Sequence, residues 1–406
     1  MKIVILSDSP TIPTGYRSQA TQLARHLEKA GHEIHYLANG YMGSDIESVK
    51  FKGGEQFNYK IYGHGPSDQY FNKTMSQRLK LIGADRFIIL LDTFMLYPWV
   101  LNLDLSPAKT FFWFPSDGGG GLPKGCSEIL RKIDVPIAMA EFGQKQVKDY
   151  YNKDAKHIPH CVDATFFKPL TKEEKSNLRK KYNLDDKFVI GVVARNQPRK
   201  NLDRTIKAMR LIADQIPNAM LFLHLDPNDP AQPMWNIQEL VKKFNLENRV
   251  VYSGMSAFSG FPQSEMNNIY NIMDCFLLTT SGEGFGVPII EAMSCEIPVV
   301  ATDYTTTPEL VIKNNAGLGI KLSGVEILDL FALKSQDYDK ACFNATQLGS
   351  WEVDRGLCDI ENCAKQIKFL YDNPTTAKVM GSNGRLAVLK KYDVPVVMKQ
   401  WDEALK

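Results

Sequence analysis

Short apolar runs alternate with amphipathic segments along two stretches of the chain. The runs predict strands at 2–6, 33–38, 86–91, 110–114 and 136–140, and again at 187–194, 220–225, 249–254, 274–280 and 297–303. Between the first two runs, residues 16–31 place Ala20, Leu23 and Leu27 on one face of a predicted helix that ends at Gly31. Continuous apolar strands separated by such helices are typical of parallel sheets covered on both faces.

The repeated pattern predicts two Rossmann-like, doubly wound α/β domains, in agreement with a length of 406 residues. The expected divisions are an N-terminal domain at 1–165, a polar connector at 166–186, a second domain at 187–390, and a C-terminal helix at 391–406 that packs back on the first domain. Residues 323–357 show no clean period and are interpreted as an insertion. We expect the domains to face each other across a cleft, with ligand at the carboxyl ends of the strands.

Composition narrows the class of protein. Hydrophobic residues make up 44% of the chain and charged residues 23%, which is typical of a folded globular protein. A net charge of +2 provides no electrostatic footprint for nucleic acid. The seven cysteines lack zinc-ligand spacing and indicate reduced thiols. We find neither a signal-peptide core nor an apolar run near the roughly 20 residues that span a bilayer. A cytoplasmic location is predicted, with peripheral membrane contact left open.

The most informative segment is SGEGFGVPIIEA at 281–292. Gly284 and Gly286 allow a ligand to approach the backbone closely, and Pro288 suits the first turn of a helix. The N-terminus of that helix would attract an anion such as phosphate. Glu283 and Glu291, on either side, could accept hydrogen bonds from the hydroxyl pairs of sugars. Together these features indicate a nucleotide-sugar site, whereas the alternative is an ordinary strand–loop–helix turn with two solvated acids.

Several segments, in order along the chain, resemble the GT-B glycosyltransferases of the large retaining family 4. They are 15–38, 139–147, 158–169, 194–201, 250–303 and 380–385. The resemblance covers most of 1–20, 136–322 and 360–406, but not 40–110 or 323–357. It implies a GT-B fold and transfer of a sugar, with retention at the anomeric carbon, from a nucleoside diphosphate to an acceptor hydroxyl. The substrate would be a UDP- or GDP-sugar, and no cofactor or metal is expected.

The resemblance also implies roles for individual residues. Arg195 and Lys200 would clamp the donor diphosphate, with Lys200 favoured over the adjacent Arg199 because Asn201 follows it; the alternative is a basic surface loop. Glu291 would accept the ribose hydroxyls, and Glu283 would face the donor sugar. The remaining donor contacts would come from Gly15, Met255, Gly284, Phe285, Gly286 and Val287. Family members often have two consecutive glycines where this chain has Thr14-Gly15-Tyr16, which predicts a stiffer loop.

The acceptor side is less well defined. Asp117 follows the strand at 110–114 and precedes four glycines, a loop suited to an acceptor or simply flexible, and Asp92 is similarly placed. Asp117 therefore joins Glu283, Arg195 and Lys200 in the predicted catalytic set. A general base is unnecessary if the leaving diphosphate oxygen takes the acceptor proton. Residues 111–114 are expected to be core. The acceptor could be a glycan, a lipid-linked molecule or a small molecule.

Three competing hypotheses remain at this stage. One is a non-catalytic GT-B protein that only binds nucleotide-sugar, although the expected donor contacts are all present. Another is a glycosyltransferase acting on modified DNA bases, which the near-neutral charge disfavours. The third is a nucleotide-sugar epimerase. For metal chemistry, the Asp-x-Asp spacing at 337–339 lies in the unpatterned insertion and is interpreted as a solvated loop.

Overall fold

The structure is a computed structural model that describes residues 1–47, 49–50, 56–96, 99–122, 126–228, 235–256, 261–329 and 352–406. The Asp-x-Asp spacing at 337–339 lies outside these residues. The chain forms two compact units. Unit 1 comprises Met1–His160, Ile327–Asp354 and Val397–Lys406, and unit 2 comprises Cys161–Glu326 and Arg355–Val396.

Unit 1 contains a seven-stranded parallel sheet of order β5-β2-β1-β6-β7-β8-β9. Its strands are β1 Lys2–Asp8, β2 Glu33–Asn39, β5 Lys60–Tyr62, β6 Arg86–Ile89, β7 Lys109–Phe114, β8 Val135–Ala138 and β9 Lys156–His157. Short strands β3 Val49–Lys50 and β4 Gln56–Phe57 form a separate antiparallel pair. The strand order reverses at β1, which lies between β2 and β6.

Helices connect the strands of unit 1. They are α1 Gly15–Lys29, α2 Met75–Ile82, α3 Thr93–Leu96, α4 Ile129–Lys132 and α5 Glu141–Tyr151. Residues 111–114 are fully buried in the sheet, as predicted for a core strand. The end of the chain returns to this unit through the last helix, α13 Val394–Ala404. Trp401 of that helix packs edge-on against Trp113, with ring centroids 5.1 Å apart.

Unit 2 contains a six-stranded parallel sheet of order β12-β11-β10-β13-β14-β15. Its strands are β10 Phe188–Val193, β11 Ala219–His224, β12 Val250–Tyr252, β13 Cys275–Leu278, β14 Val299–Thr302 and β15 Gly317–Ile320. The covering helices and the C-terminal helix are α6 Lys172–Lys180, α7 Leu202–Gln215, α8 Ile237–Lys243, α9 Met266–Asn271, α10 Val287–Ser294, α11 Ile360–Asp372, α12 Pro374–Ala387 and α13 Val394–Ala404. The order reverses between β10 and β13.

Two segments contain more structure than their sequence indicated. Residues 166–186 were predicted to be a connector, but they contain α6, which begins with a capping box between Thr171 and Glu174. Arg179 fastens α6 to unit 2 by donating to the Ile272 carbonyl at 2.8 Å and pairing with Asp274 at 2.7 Å. The insertion at 323–357 contains β16 Leu322–Asp329 and β17 Glu352–Cys358, which form a two-stranded sheet.

Within the described ranges, we find no helix with the length and apolar character required to cross a bilayer.

Candidate active site

Two loops of unit 2 meet where the strand order of its sheet reverses. One follows β10 and contains Arg195–Lys200, and the other follows β13 and contains Thr279–Gly286. Because all strands of this sheet are parallel, both loops emerge at the carboxyl edge, where open α/β sheets bind ligands. Adjacent strands thus bring together two motifs that are 83 residues apart in sequence.

Hydroxyl and amide groups of the β13 loop fasten it to the β10 loop. The Ser281 amide donates to the Arg199 carbonyl at 2.6 Å, and the Thr280 hydroxyl donates to the same carbonyl at 3.1 Å. The Thr279 hydroxyl reaches the Lys200 and Asn201 carbonyls at 3.2 and 3.1 Å. Asn201 adopts a left-handed conformation, with φ 48°, that turns the chain into α7. These bonds determine which side chains of the β10 loop face Glu283.

Glu283 lies in a buried ion cluster. It is 4% exposed, with Lys200 Nζ 2.6 Å from one carboxylate oxygen and Arg199 2.8 Å from the other. Burial alone would raise the pKa of this carboxyl, but Arg199 and Lys200 outweigh burial and lower it to about 2. Glu283 is therefore ionised at neutral pH. Two cations thus flank one carboxylate, shortly before the N-terminus of α10.

The structure shows a contact of Arg199 that the sequence did not predict, its ion pair with Glu283. Arg199 was set aside in favour of Lys200, yet both pair with Glu283. Arg195 belongs to the same loop, but its side chain is exposed. Its predicted contact with the donor diphosphate stays a prediction. The sequence signal for Arg199 is the Thr-Thr-Ser segment at 279–281. Its hydroxyls bond to the backbone of the loop that contains Arg199.

The loop that enters α10 has the geometry expected of a tight turn. Gly286 has φ 99°, a left-handed conformation that favours glycine. A Cβ there would lie 3.0 Å from Ile289 Cδ1. Phe285 is 3% exposed and packs edge-on against Tyr392, which anchors the loop to the core of unit 2. The predicted helix start at Pro288 is confirmed by α10, which has proline in its first turn.

Glu291 has the opposite electrostatic environment. The Tyr270 hydroxyl donates to its carboxylate at 2.5 Å, and Tyr270 is fully buried. Burial raises the pKa of Glu291 to about 7, although the Tyr270 hydrogen bond lowers it in part. One carboxylate of the pair is thus permanently ionised, while the other changes charge near neutral pH. Tyr270 carried no signal in the sequence, because its partner lies on another helix.

Met255 lies beyond β12 at the same edge of the sheet. Its amide faces Ser253 Oγ at 3.4 Å, and Ser253 lies 2.9 Å from His224 Nδ1. Burial lowers the pKa of His224 to about 4, so this ring is neutral at pH 7. Contact of Met255 with a nucleotide base stays a prediction.

In unit 1, the residues after β1 form a fixed helix entry. The Thr14 hydroxyl donates to Asp8 at 2.7 Å and accepts from the Arg17 amide at 3.1 Å, which caps α1. Gly15 is the exposed first residue of α1. The greater stiffness expected of this loop stays a prediction.

Tyr16 connects this helix entry to the end of β6. Its hydroxyl donates to Asp92 at 2.6 Å. Burial and then the Asp92 carboxylate raise the pKa of Tyr16 well above its ordinary value, and Asp117 and Asp8 contribute in the same direction. Asp8, Asp92 and Asp117 therefore lie near one tyrosine at the carboxyl edge of the unit 1 sheet. The sequence placed Asp117 and Asp92 at this edge of the sheet, and the structure adds Asp8.

Comparison with known proteins identifies the class. Residues 174–326 match the model of the family described as glycosyl transferases group 1. It is 24% identical to the O-antigen chain mannosyltransferase B of Escherichia coli over 270 residues, covering 66% of this chain and 65% of that relative. It is 28% identical to the mannosylfructose-phosphate synthase of Agrobacterium fabrum over 259 residues, covering 62% and 56%. The chain thus spans under two thirds of these relatives' length.

Solved structures establish the fold. Sucrose-phosphate synthase from Thermosynechococcus elongatus superposes with a TM-score of 0.73 at 17% identity, covering 100% of this chain and 98% of that one. Anabaena HepE in complex with UDP superposes with a TM-score of 0.71 at 16% identity, covering 100% and 99%. The chain has the GT-B fold, as the sequence predicted.

The Glu283 cluster yields the first prediction. Lys200→Met should lower the free energy of unfolding by about 3 kcal/mol at pH 7, because it leaves a buried carboxylate with one cation fewer. The measurement is made at neutral pH. The pKa of Glu283 falls from 4.5 to about 2 on folding, so the stability that its ionised form contributes is complete above pH 4.5 and is lost as the pH falls toward 2.

The matched control is Lys207→Met. Lys207 pairs with Asp203 at 2.8 Å on one helix, but its side chain is 41% exposed. Its loss should cost under about 1 kcal/mol. Urea unfolding of both variants, and of Lys200→Met combined with Glu283→Leu, gives the comparison. The double variant should recover part of the loss; equal losses in the two single variants would contradict a buried pair.

Proposed function

We propose that this chain is a retaining glycosyltransferase that moves a sugar from a nucleoside diphosphate to an acceptor hydroxyl. The bond from the anomeric carbon to the diphosphate oxygen breaks, and a bond to the acceptor oxygen forms on the same face. The acceptor proton passes to the leaving diphosphate oxygen. No enzyme nucleophile takes part. The observation that carries this proposal is the buried, ionised Glu283 held between two cations at the start of α10.

Electrostatics support departure of a diphosphate from this position. As the bond breaks, negative charge grows on the leaving group, and preorganised cations and a helix N-terminus stabilise such charge. Lys200 and Arg199 are already fixed by Glu283 and by backbone bonds, so they need little reorganisation. We further propose that these groups replace the divalent cation other enzymes use, which makes the reaction independent of metal.

The two glutamates then have separate tasks. Glu283 would accept hydrogen bonds from the donor sugar while orienting Lys200. Glu291, held by Tyr270, would accept the ribose hydroxyls. Relatives suggest which nucleotides to test, since HepE binds UDP and UDP-glucose, and a mycobacterial relative 25% identical over 212 residues is a GDP-mannose-dependent mannosyltransferase.

We also propose a cytoplasmic location. Free, buried thiols are typical of a reducing compartment, and the cysteines described as free and buried are Cys161, Cys275, Cys295, Cys358 and Cys363. Peripheral membrane contact belongs to the same proposal, since the mycobacterial relative acts on a phosphatidylinositol monomannoside.

Thermal stabilisation by nucleotides tests the donor site. UDP, GDP or ADP at one hundred times its Kd should add about 2.7 kcal/mol of stability. We expect a shift with UDP or GDP that survives EDTA. The matched variant Glu291→Ala should give a much smaller shift. Absence of any shift in the wild type would overturn the proposal, and a shift abolished by EDTA would overturn metal independence.

Variants of the two glutamates should fail in different ways. Glu283→Gln should reduce transfer by about a hundredfold or more while nucleotide affinity changes little, because Glu283 would contact the donor sugar, which a free nucleoside diphosphate lacks. Glu291→Gln should weaken nucleotide binding about tenfold, since one hydrogen-bonded contact is lost. Calorimetric titration and initial rates separate these effects. Wild-type turnover in both variants would remove the basis of the site assignment.

Nucleotide affinity should also depend on pH. Since the pKa of Glu291 is about 7, its ionised, accepting form grows as pH rises, and affinity should increase by about tenfold between about pH 6 and pH 8. Tyr270→Phe removes a bond that lowers this pKa, so its midpoint should move to higher pH. Titrations of the nucleotide across this range measure both effects.

Glu291→Gln is the control, because the phosphate of the nucleotide titrates over the same range. That variant keeps the phosphate contribution and loses only the Glu291 contribution. An identical pH profile in wild type and Glu291→Gln would show that Glu291 does not titrate at the nucleotide.

A further inference from the structure

The glycine loop after β7 is paired with the insertion. The Gly119 amide donates to the Asp354 carbonyl at 3.0 Å, and the Asp354 amide donates to the Gly119 carbonyl at 3.1 Å. Both residues belong to unit 1. The pair is an antiparallel bridge between a loop that carries Asp117 and a strand, β17, that lies beyond the matched family region ending at residue 326.

The glycines are the residues that permit this pairing. A Cβ on Gly118 would lie 2.8 Å from the Asp354 carbonyl oxygen and 3.1 Å from Val353 Cβ, so the strand could not approach as closely. Gly120 and Gly121 have φ of 83° and 88°, which turn the loop away again. The far end of the loop is also fixed, because the Gly121 amide donates to Gln146 Oε1 at 2.8 Å.

Asp354 also brings its carboxylate to the loop. An ideal Cβ on Gly120 would lie 3.6 Å from one Asp354 carboxylate oxygen. Val353, next to it, is 4% exposed and fills the space beside Gly118. The four glycines and the insertion therefore fit together. The glycines lack the side chains that would block the approach of β17, and β17 packs against them.

We propose that β17 is a positioning element for the acceptor: by pairing Asp354 with Gly119, it fixes residues 117–121, and with them Asp117, at the carboxyl edge of the unit 1 sheet. This rests on the proposed function. Asp354 acts through the loop backbone and is a positioning residue. A loop held at both ends presents an acceptor hydroxyl in one orientation, and small errors in orientation cost large factors in rate.

The test uses one substitution at two positions. Gly118→Ala introduces the clash with the Asp354 carbonyl at a residue whose backbone conformation tolerates alanine. Gly324→Ala, in β16, is the matched control, since a Cβ there has nothing within 4 Å. The substitution is made in the glycine loop and not in β17. Farther along β17, the Gly356 amide donates to the Ser281 carbonyl of the β13 loop in unit 2, so a change in β17 would also affect that loop.

Hydrogen exchange of the intact chain measures the pairing itself. In Gly118→Ala, the amides of Gly119 and Asp354 should exchange roughly tenfold faster than in the wild type, as expected for the loss of one or two backbone hydrogen bonds. Gly324→Ala and Asp354→Asn should match the wild type, since both keep the backbone pair. Unchanged exchange in Gly118→Ala would overturn the proposal.

Activity separates positioning from a merely structural role. With the donor identified by the nucleotide screen and glycerol or a free monosaccharide as the acceptor probe, Gly118→Ala should raise the acceptor KM or lower transfer about tenfold. Donor hydrolysis by water, which requires no oriented acceptor, should stay within about twofold. Nucleotide stabilisation should match the wild type. Equal changes in transfer and hydrolysis, or no change in transfer, would contradict a positioning role.

Asp354→Pro is the second variant if Gly118→Ala does not fold, because it removes the amide that donates to Gly119. The thermal stabilisation of this variant by nucleotide reports whether the β13 loop is intact. If the wild type binds nucleotide but neither transfers sugar to an acceptor probe nor hydrolyses the donor, the proposed function is wrong, and the positioning role is wrong with it. A wild type that transfers while Gly118→Ala transfers equally well refutes the positioning role alone.

Discussion

The site depends on keeping one buried carboxylate charged. Glu283 is 4% exposed, and an ionised group at that depth is stable only with cations and hydrogen bonds close by. Lys200 and Arg199 supply the cations, but only because residues 279–281 hold the backbone of the β10 loop in place. The strand order of the unit 2 sheet, the turn at Asn201 and the hydroxyls of the β13 loop all serve this arrangement.

The two glutamates show how environment divides identical side chains into different roles. Glu283 and Glu291 belong to one motif, yet cations hold the pKa of one near 2, while burial without a cation raises that of the other to about 7. A permanent charge suits a group that orients cations beside a leaving phosphate. In the function proposed above, a carboxyl that titrates near neutrality would make nucleotide affinity depend on pH. Neither property belongs to glutamate itself; each follows from what surrounds it.

Unit 1 presents a different solution at the equivalent edge of its sheet. There the carboxylates at the ends of β1 and β6 accept hydrogen bonds from hydroxyls, Asp8 from Thr14 and Asp92 from Tyr16. Acidic and hydroxyl groups recognise polyols, whereas the cationic cluster of unit 2 suits phosphate. The two units thus differ in the ligand chemistry that they favour. The insertion pairs a strand with the glycine loop of unit 1, through the bridge between Gly119 and Asp354.

The sequence by itself determined ten strands of the two sheets and the helix that has Pro288 in its first turn, and it singled out the two glutamates and Lys200, since apolar period, proline and glycine placement and motif spacing are local properties. Only the tertiary structure revealed Arg199 on Glu283, Tyr270 on Glu291 and Asp354 on Gly119. The sheets decide which loops and helices meet, and so which residues become partners. Lys200, next to Arg199, lies 83 residues from Glu283 in sequence, and Tyr270 lies 21 residues from Glu291. Periodicity indicates which face of an element is buried, but a hydrogen-bond partner is fixed by the packing of elements far apart in sequence.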